Sequence, residues 1–174
     1  MAPSLVPPVE PIKVLATAIQ QQLGLPDGSV MLGLENWPIP DTPGLYVSLS
    51  YGPQIVIGNN NYDGVDDAGN YAEFQEAVML HEVEVDVMSF DSSARTQKEA
   101  VLWALQSYEA QSLMEQYQMR IAATPGAFVA VEDLEETKQL NRYRLTIAVY
   151  AIHRNVKEMP YFDSLQPVRL VENP

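Results

Sequence analysis

"RYRLTIAVYA", residues 142–151, alternates between two chemistries at every step. Tyr143, Leu145, Ile147 and Val149 fall on one side, and Arg142, Arg144, Thr146 and Tyr150 on the other. Successive side chains of an extended strand point to opposite faces, so a period of two marks one dry face and one wetted face. "HEVEVDVMSF", residues 81–90, does the same with acids, setting Val83, Val85 and Val87 against Glu82, Glu84 and Asp86. Strands with one apolar face belong to a sheet covered on one side only, which is an antiparallel habit. If these two pair antiparallel, Glu84 or Asp86 stands opposite Arg144 or Arg142. Opposite charges across strands favour pairing by roughly 0.2–1 kcal/mol.

The rest of the chain is read outward from these strands. Residues 1–11 hold four prolines and read as an extended arm. From Glu10 the spacing of Ile12, Leu15, Ile19 and Leu23, with Ala16 beside them, predicts a helix. Pro11 suits its first turn, and "GLPDG" (residues 24–28) stops it. After the proline-rich "ENWPIPDTPG" (35–44), "LYVSLSYG" (45–52) and "QIVIG" (54–58) read as two short strands either side of a Gly-Pro break. "NNNYDGVDDAGN" (59–70) has the vocabulary of a loop. A long strand then runs from about Ala72 to Phe90, with a bulge expected near its middle. Asp91, Ser92 and Ser93 are candidate N-caps for a second helix, with Thr96 and Glu99 at capping-box spacing. Leu102, Leu105, Tyr108, Leu113 and Tyr117 extend its apolar stripe toward Ile121. "AFVAV" (127–131) reads as a strand, "EDLEETKQLN" (132–141) as an acidic loop, and residues 153–174 as a tail with one short strand at "QPVRLV" (166–171).

The expected fold is a single α+β domain over residues 1–174. A mainly antiparallel sheet packs against one long and one shorter helix, with an extended N-terminal arm and long loops. The length and the 47% hydrophobic content are enough for a proper core. No repeat is evident.

Ten basic residues against 23 acidic ones leave a net charge of −13. The imbalance is local. Up to Ala94, Lys13 is the one basic residue against thirteen acids, whereas nine basic residues meet ten acids from Arg95 onward. Such a surface repels phosphate backbones, which argues against sequence-specific nucleic-acid binding. The absence of cysteine excludes disulfides, thiolate metal sites and cysteine nucleophiles, and fits a reducing compartment. With no signal-peptide pattern and no apolar run of spanning length, the expectation is a soluble chain made in the cytoplasm, with no membrane partner.

Candidate chemistry is sparse. Asn59, Asn61, Asp63 and Gly64 copy the first half of a calcium loop, and Asp66 adds a further oxygen ligand. The twelfth position is Asn70, where a bidentate Glu is needed, so a calcium site competes with a plain solvated or partner-contacting loop. His81 and His153, the two histidines of the chain, share the parity of their strands' apolar faces, and some registers make them neighbours. With no third ligand on that parity, satisfied or rim-exposed histidines are the expectation over a metal or catalytic pair. No nucleophile elbow, phosphate-cradling glycine loop or H-E-x-x-H is present. Glu82, Glu84 and Asp86 suit a solvated strand face better than a paired-carboxylate site, so the expectation is a non-enzyme without cofactors. A small hydrolase using Glu82 or Asp86 is the enzymatic alternative. Trp37 either anchors a partner surface or folds back onto its own core.

"VEVDVMSFDSSARTQKEAVLWAL" (83–105), "ENWPIPDTPGLYVSLSYG" (35–52) and "NRYRLTIAVYA" (141–151) together resemble the neck and tail terminator proteins of tailed bacteriophages. The resemblance spans roughly residues 10–152, and its motifs are loose. It implies a structural virion protein assembled in the host cytoplasm: a closed ring, usually of six subunits, that caps the tail tube and joins it to the neck while DNA passes through. The implied partners are further copies of the chain, the tail tube protein and neck or connector proteins. The arm, the proline-rich loop and the Asn/Asp segment then become contact regions, with Trp37, Tyr62, Asp66 and Asp67 as subunit or tube contacts. Glu84, Asp86, Arg142 and Arg144 become cross-strand salt bridges, a subunit interface or the channel wall. Two alternatives stand beside this: another head–tail connector or tail-completion protein, and a calcium-dependent or peptide-binding module using residues 59–70.

Overall fold

The alternating stretches form the centre of one open sheet. The computed structural model describes residues 9–33, 42–66, 68–122, 126–135 and 138–158. The elements in order are α1 (Pro11–Leu23), β1 (Val30–Leu32), β2 (Tyr46–Val65), β3 (Tyr71–Ser89), α2 (Ser93–Gln106), α3 (Tyr108–Gln116), β4 (Met119–Ile121), β5 (Val129–Glu135) and β6 (Lys138–Glu158). The sheet runs β1-β2-β3-β6-β4, with β5 also paired to β6. Every pairing is antiparallel except the short parallel one between β1 and β2. This is the expected α+β architecture, with three helices instead of two.

The helices cover the odd-numbered face of β3 and β6. Val83, Val85, Val87, Leu145, Ile147 and Val149 are buried there with Val47 and Leu49 of β2. Against them pack Ile12, Leu15 and Ile19 of α1, Val101 and Leu105 of α2, and Met114 of α3. Full burial of such a side chain is worth about 1.5–3 kcal/mol, so this one layer dominates the stability of the body. Among the described residues, the other face carries a small second cluster of Met31, Tyr46, Met88 and Leu140.

The ends of α1 follow the sequence signals. Pro11 opens it, and Gly24 closes it at φ +58°, a left-handed turn that glycine adopts without a Cβ penalty. The second helix departs from expectation by breaking in two. Ser107 is extended at φ −63°, ψ 155°, and its side chain accepts the Ala110 N–H as the N-cap of α3. Breaking there exposes Tyr108, which the apolar stripe placed in the core but which is 82% accessible. At the start of α2, Asp91 Oδ1 accepts from Ser93 N and Ser89 Oγ from Ala94 N. The expected reciprocal capping box is absent from the bonds seen: Thr96 Oγ1 donates to the Ser92 carbonyl and Glu99 pairs with Lys98.

The strands are longer than the sequence suggests. The two short strands at 45–52 and 54–58 are one strand, β2, with register shifts between Tyr51 and Gln54 and between Val56 and Gly58. Gly-Pro at 52–53 interrupts the ladder without ending it, because a bulge absorbs the missing proline donor. Residues 59–65 are not a loop but the continuation of β2, held to β3 from Gly58↔Val78 through Val65↔Tyr71. The acidic segment after residue 131 is the end of β5 and the start of β6, joined as a hairpin with Glu135 opposite Lys138. Residues 153–158 belong to β6 and not to a tail. The short strand read at 166–171, the arm up to residue 8, Trp37 and Asp67 lie outside the described residues.

Candidate functional site

Three strands outrun the helices. Beyond the body, β2 from residue 53, β3 back to Tyr71 and β6 from residue 150 continue as a three-stranded arm, with every residue of β2 from 53 to 63 exposed. Ile55, Val56, Ile57, Val65, Tyr71, Tyr150 and Ile152 stand in solvent there. Among the described residues, the outer edge of β2 has no strand partner after Leu49, and that of β6 has none after Ile152, whose N–H donates to the Gln118 carbonyl just before β4. An arm with two bare strand edges and exposed apolar side chains is a surface for association.

The arm is held by its own side chains. Tyr62 stacks on Phe74 with ring centroids 5.2 Å apart. Its hydroxyl donates to Glu76 Oε1 at 3.0 Å, and Arg154 Nε donates to the same oxygen at 2.7 Å. These bonds, that from Arg154 first, hold the Glu76 carboxyl below its ordinary range. Lys157 lies 3.8 Å from Glu73. At the tip, Asp66 Oδ1 accepts from Ala68 N and Asn70 N, an Asx turn that closes the hairpin. The half-formed calcium loop is therefore corrected. Asn59, Asn61 and Asp63 are spread along an extended strand, where a ligand shell cannot converge, and Asp66 is engaged with its own backbone. No group of three or more His, Cys, Asp or Glu that could hold a metal ion occurs among the described residues.

In the body, the open face carries the charged residues. Asp86 pairs directly with Arg144 across β3 and β6, while Glu84 faces Thr146 and Arg142 faces Met88. Arg144 grips Asp86 with Nε at 2.8 Å from Oδ1 and Nη2 at 3.0 Å from Oδ2, and Arg142 Nη2 lies 2.8 Å from Oδ2. Arg144 also reaches Glu84 at 3.0 Å. The Asp86 side chain is only 1% exposed. Burial pushes its pKa up, but the bonds from Arg144 and Arg142 and their charges outweigh that and leave it lowered. Of the three roles open to these residues, cross-strand salt bridging is the one their geometry within a single chain performs.

Where arm meets body, His81 and His153 come together with their Nε2 atoms 3.1 Å apart. His81 is 3% exposed and also lies against the Tyr51 ring. Both imidazoles have lowered pKa values, first through burial and, for His81, also through its neighbour's charge. The shared parity of the two residues signalled this meeting; the exposed Ile55–Ile57 run and the Tyr62–Phe74–Glu76–Arg154 group carried no such signal, because their neighbours are fixed by the long register of β2 and β6.

No family model and no curated protein matches the sequence. Among solved structures the chain is similar to a chain of the "Virion of native gene transfer agent (GTA) particle", at 16% identity over 82% of this chain and 94% of that one, with a TM-score of 0.29. A superposition that loose carries no argument about role.

Proposed function

We propose that the chain is a non-catalytic virion protein of the tail terminator type, which closes into a ring, caps the tail tube and joins it to the neck. The observation that carries the reading is the arm. Its two bare edges lie on opposite sides of the same three strands, so one copy's β2 edge meets the next copy's β6 edge head to tail. A repeat of that kind closes into a ring when its rotation divides a full turn. The exposed Ile55, Val56 and Ile57 supply the apolar contact such a joint needs. The resemblance in residues 10–152 supports the assignment to tail terminators in particular. The net charge of −13 supports a channel through which DNA slides without sticking.

The test is the mass of the purified chain by light scattering after size exclusion, across concentration and salt, alone and with a tail tube protein. A closed species near six chains is expected, and Val56→Lys with Ile57→Lys should leave folded monomers. A chain that stays monomeric under all of these conditions sinks the ring.

A further inference from the structure

The three strands leave the body where their backbone support is thinnest. The β2 ladder is interrupted by the register shift after Tyr51 and resumes at Gln54, opposite His81. On the far side, the pairing of β4 reaches no further out than Ala151. At this level a side-chain bond crosses from β3 to β6. The Nε2 atoms of His81 and His153 meet head-on at 3.1 Å, with ring centroids 5.3 Å apart. His81 pairs with Val149 and His153 with Ala77, so the bond runs diagonally across the ladder.

The bond has room for one proton: one Nε2 donates it and the other accepts. Its direction follows from the far side of each ring. His81 is 3% exposed, and its Nδ1 is buried with no hydrogen-bond partner. Were His81 the acceptor, that Nδ1 would carry an N–H with nothing to bond. As the donor it leaves there only an unmet lone pair, and among buried backbone groups an orphaned N–H is rarer than an under-used acceptor. His81 therefore donates, and the half-buried His153 accepts at Nε2 and keeps its own proton on Nδ1. A further proton could enter His81 only at its orphaned Nδ1. His153 takes it at Nε2, the atom that accepts the bond. Two N–H groups then face each other, and the contact must open.

Little else on that face competes for the proton. Tyr51 and Gln54 of β2, Met79 of β3 and Asn155 of β6 share it with the pair, and none of them ionises between about pH 4 and 7. From α1, the Ile12 N–H donates to the Tyr51 hydroxyl, and the charge of Glu10 bears on that phenol. Further out, Glu73 and Lys157 lie 3.8 Å from each other. The charge that acts on His81 is that of His153, and both imidazoles are held below their ordinary 6.5, first by burial. The bond is thus complete above that value and is lost as pH falls below it, because the opened pair takes up the proton first.

We propose that the His81–His153 bond is an acid-sensitive latch at the root of the arm. It ties β3 to β6 at neutral pH, and protonation of His153 at Nε2 releases it and loosens the arm while the helix-covered body stays closed. The latch lies within one chain and stands whether or not the chain forms a ring.

The test uses the full chain, followed by amide hydrogen exchange from about pH 7.5 to about pH 5, across the histidine range, with rates corrected for the intrinsic effect of pH. Protection at Ala77 to Leu80 and at Ile152 to Val156 should fall about three- to tenfold, the contribution of one hydrogen bond, while Val83 to Val87 hold. That window lies above those of Glu76 and Asp86, whose carboxyls sit below their ordinary 4.5 and 3.8. His81 is in the core and its replacement endangers the fold, so the diagnostic variant is His153→Gln, which keeps a neutral acceptor and should erase the pH dependence. A second readout needs no variant. The imidazole nitrogen NMR spectrum at neutral pH should show His81 protonated at Nε2 and His153 at Nδ1, with His153 taking up the acid proton first. The reverse tautomers, protection that does not change with pH, or an equal fall in His153→Gln overturns the latch.

Discussion

The same three strands live two lives. In the body, β2, β3 and β6 are covered on one face by helices, and along β3 and β6 buried aliphatics alternate with charged and polar residues, of which Asp86 is itself buried. In the arm the helices are gone, and β2 is exposed on both faces from 53 to 63. The difference teaches that alternation is imprinted by what covers a sheet, not by strand pairing itself. Where nothing covers the strands, Asn, Asp and Gly are tolerated in extended conformation because the ladder to β3 and a few cross-strand groups suffice.

The largest expected effect lies at the body's charged centre. Asp86→Ala leaves Arg142 and Arg144 crowded together without their shared anion, and breaking a buried pair of this kind costs about 3–5 kcal/mol. The sign of its pH dependence is fixed. The folded carboxyl sits below its ordinary value of 3.8, so its contribution is complete above that value. It is lost as pH falls toward the folded pKa, because the unfolded chain takes up the proton first. Urea unfolding at neutral pH should separate the wild type from Asp86→Ala widely, and the gap should narrow once pH drops below 3.8. A gap that persists in acid would mean that packing, not charge, holds Asp86 in place.

Next comes the direct comparison of apolar residues. Leu145 is fully buried under the helices, whereas Val56 is 61% exposed in the arm. Leu145→Ala should cost about 2–5 kcal/mol through lost burial and the cavity it leaves. Val56→Ala should stay within about 0.5 kcal/mol for the isolated subunit. Equal losses in urea melts would mean that the arm folds against something other than solvent.

This division also explains what was legible in the sequence. The body's strands were legible because Val83, Val85, Val87, Leu145, Ile147 and Val149 carry the imprint of their cover. The helix α1 was legible because Pro11 and Gly24 act locally. The continuation of β2 through Asn59–Val65 was not, because residues with turn chemistry were held in a strand by register with β3, a long-range effect. The three-residue β1 is too short for any period. The break at Ser107 did leave a local mark, a serine whose side chain caps Ala110 with Glu109 in the first turn, but the apolar spacing on either side masked it. At the site, the pairing of Asp86 with Arg144 was one of the readings open from the sequence. The His81–His153 contact was signalled only by shared parity; the register that lets two side chains four positions apart lean together is a long-range property that the period of two does not fix.

The smallest effect sharpens the comparison within the arm itself. A Cβ on Gly64 would stand 3.0 Å from Cε2 of Phe74, whereas one on Gly58 would meet nothing within 4 Å. Phe74 is only 9% exposed, with Tyr62 stacked on its ring. Gly64→Ala forces that ring to give by a few tenths of an ångström against Tyr62, which should loosen the stack and the Glu76–Arg154 group beside it at a cost of about 1 kcal/mol, the low end of overpacking. Gly58→Ala meets no obstacle and should be neutral or slightly stabilising, since it narrows the unfolded ensemble. Hydrogen exchange resolves the two, because Gly64→Ala should speed exchange from Tyr71 to Glu76 while leaving Val83 to Val87 untouched. If both glycines respond alike, the arm is held by its backbone ladder alone, and the aromatic stack is a passenger.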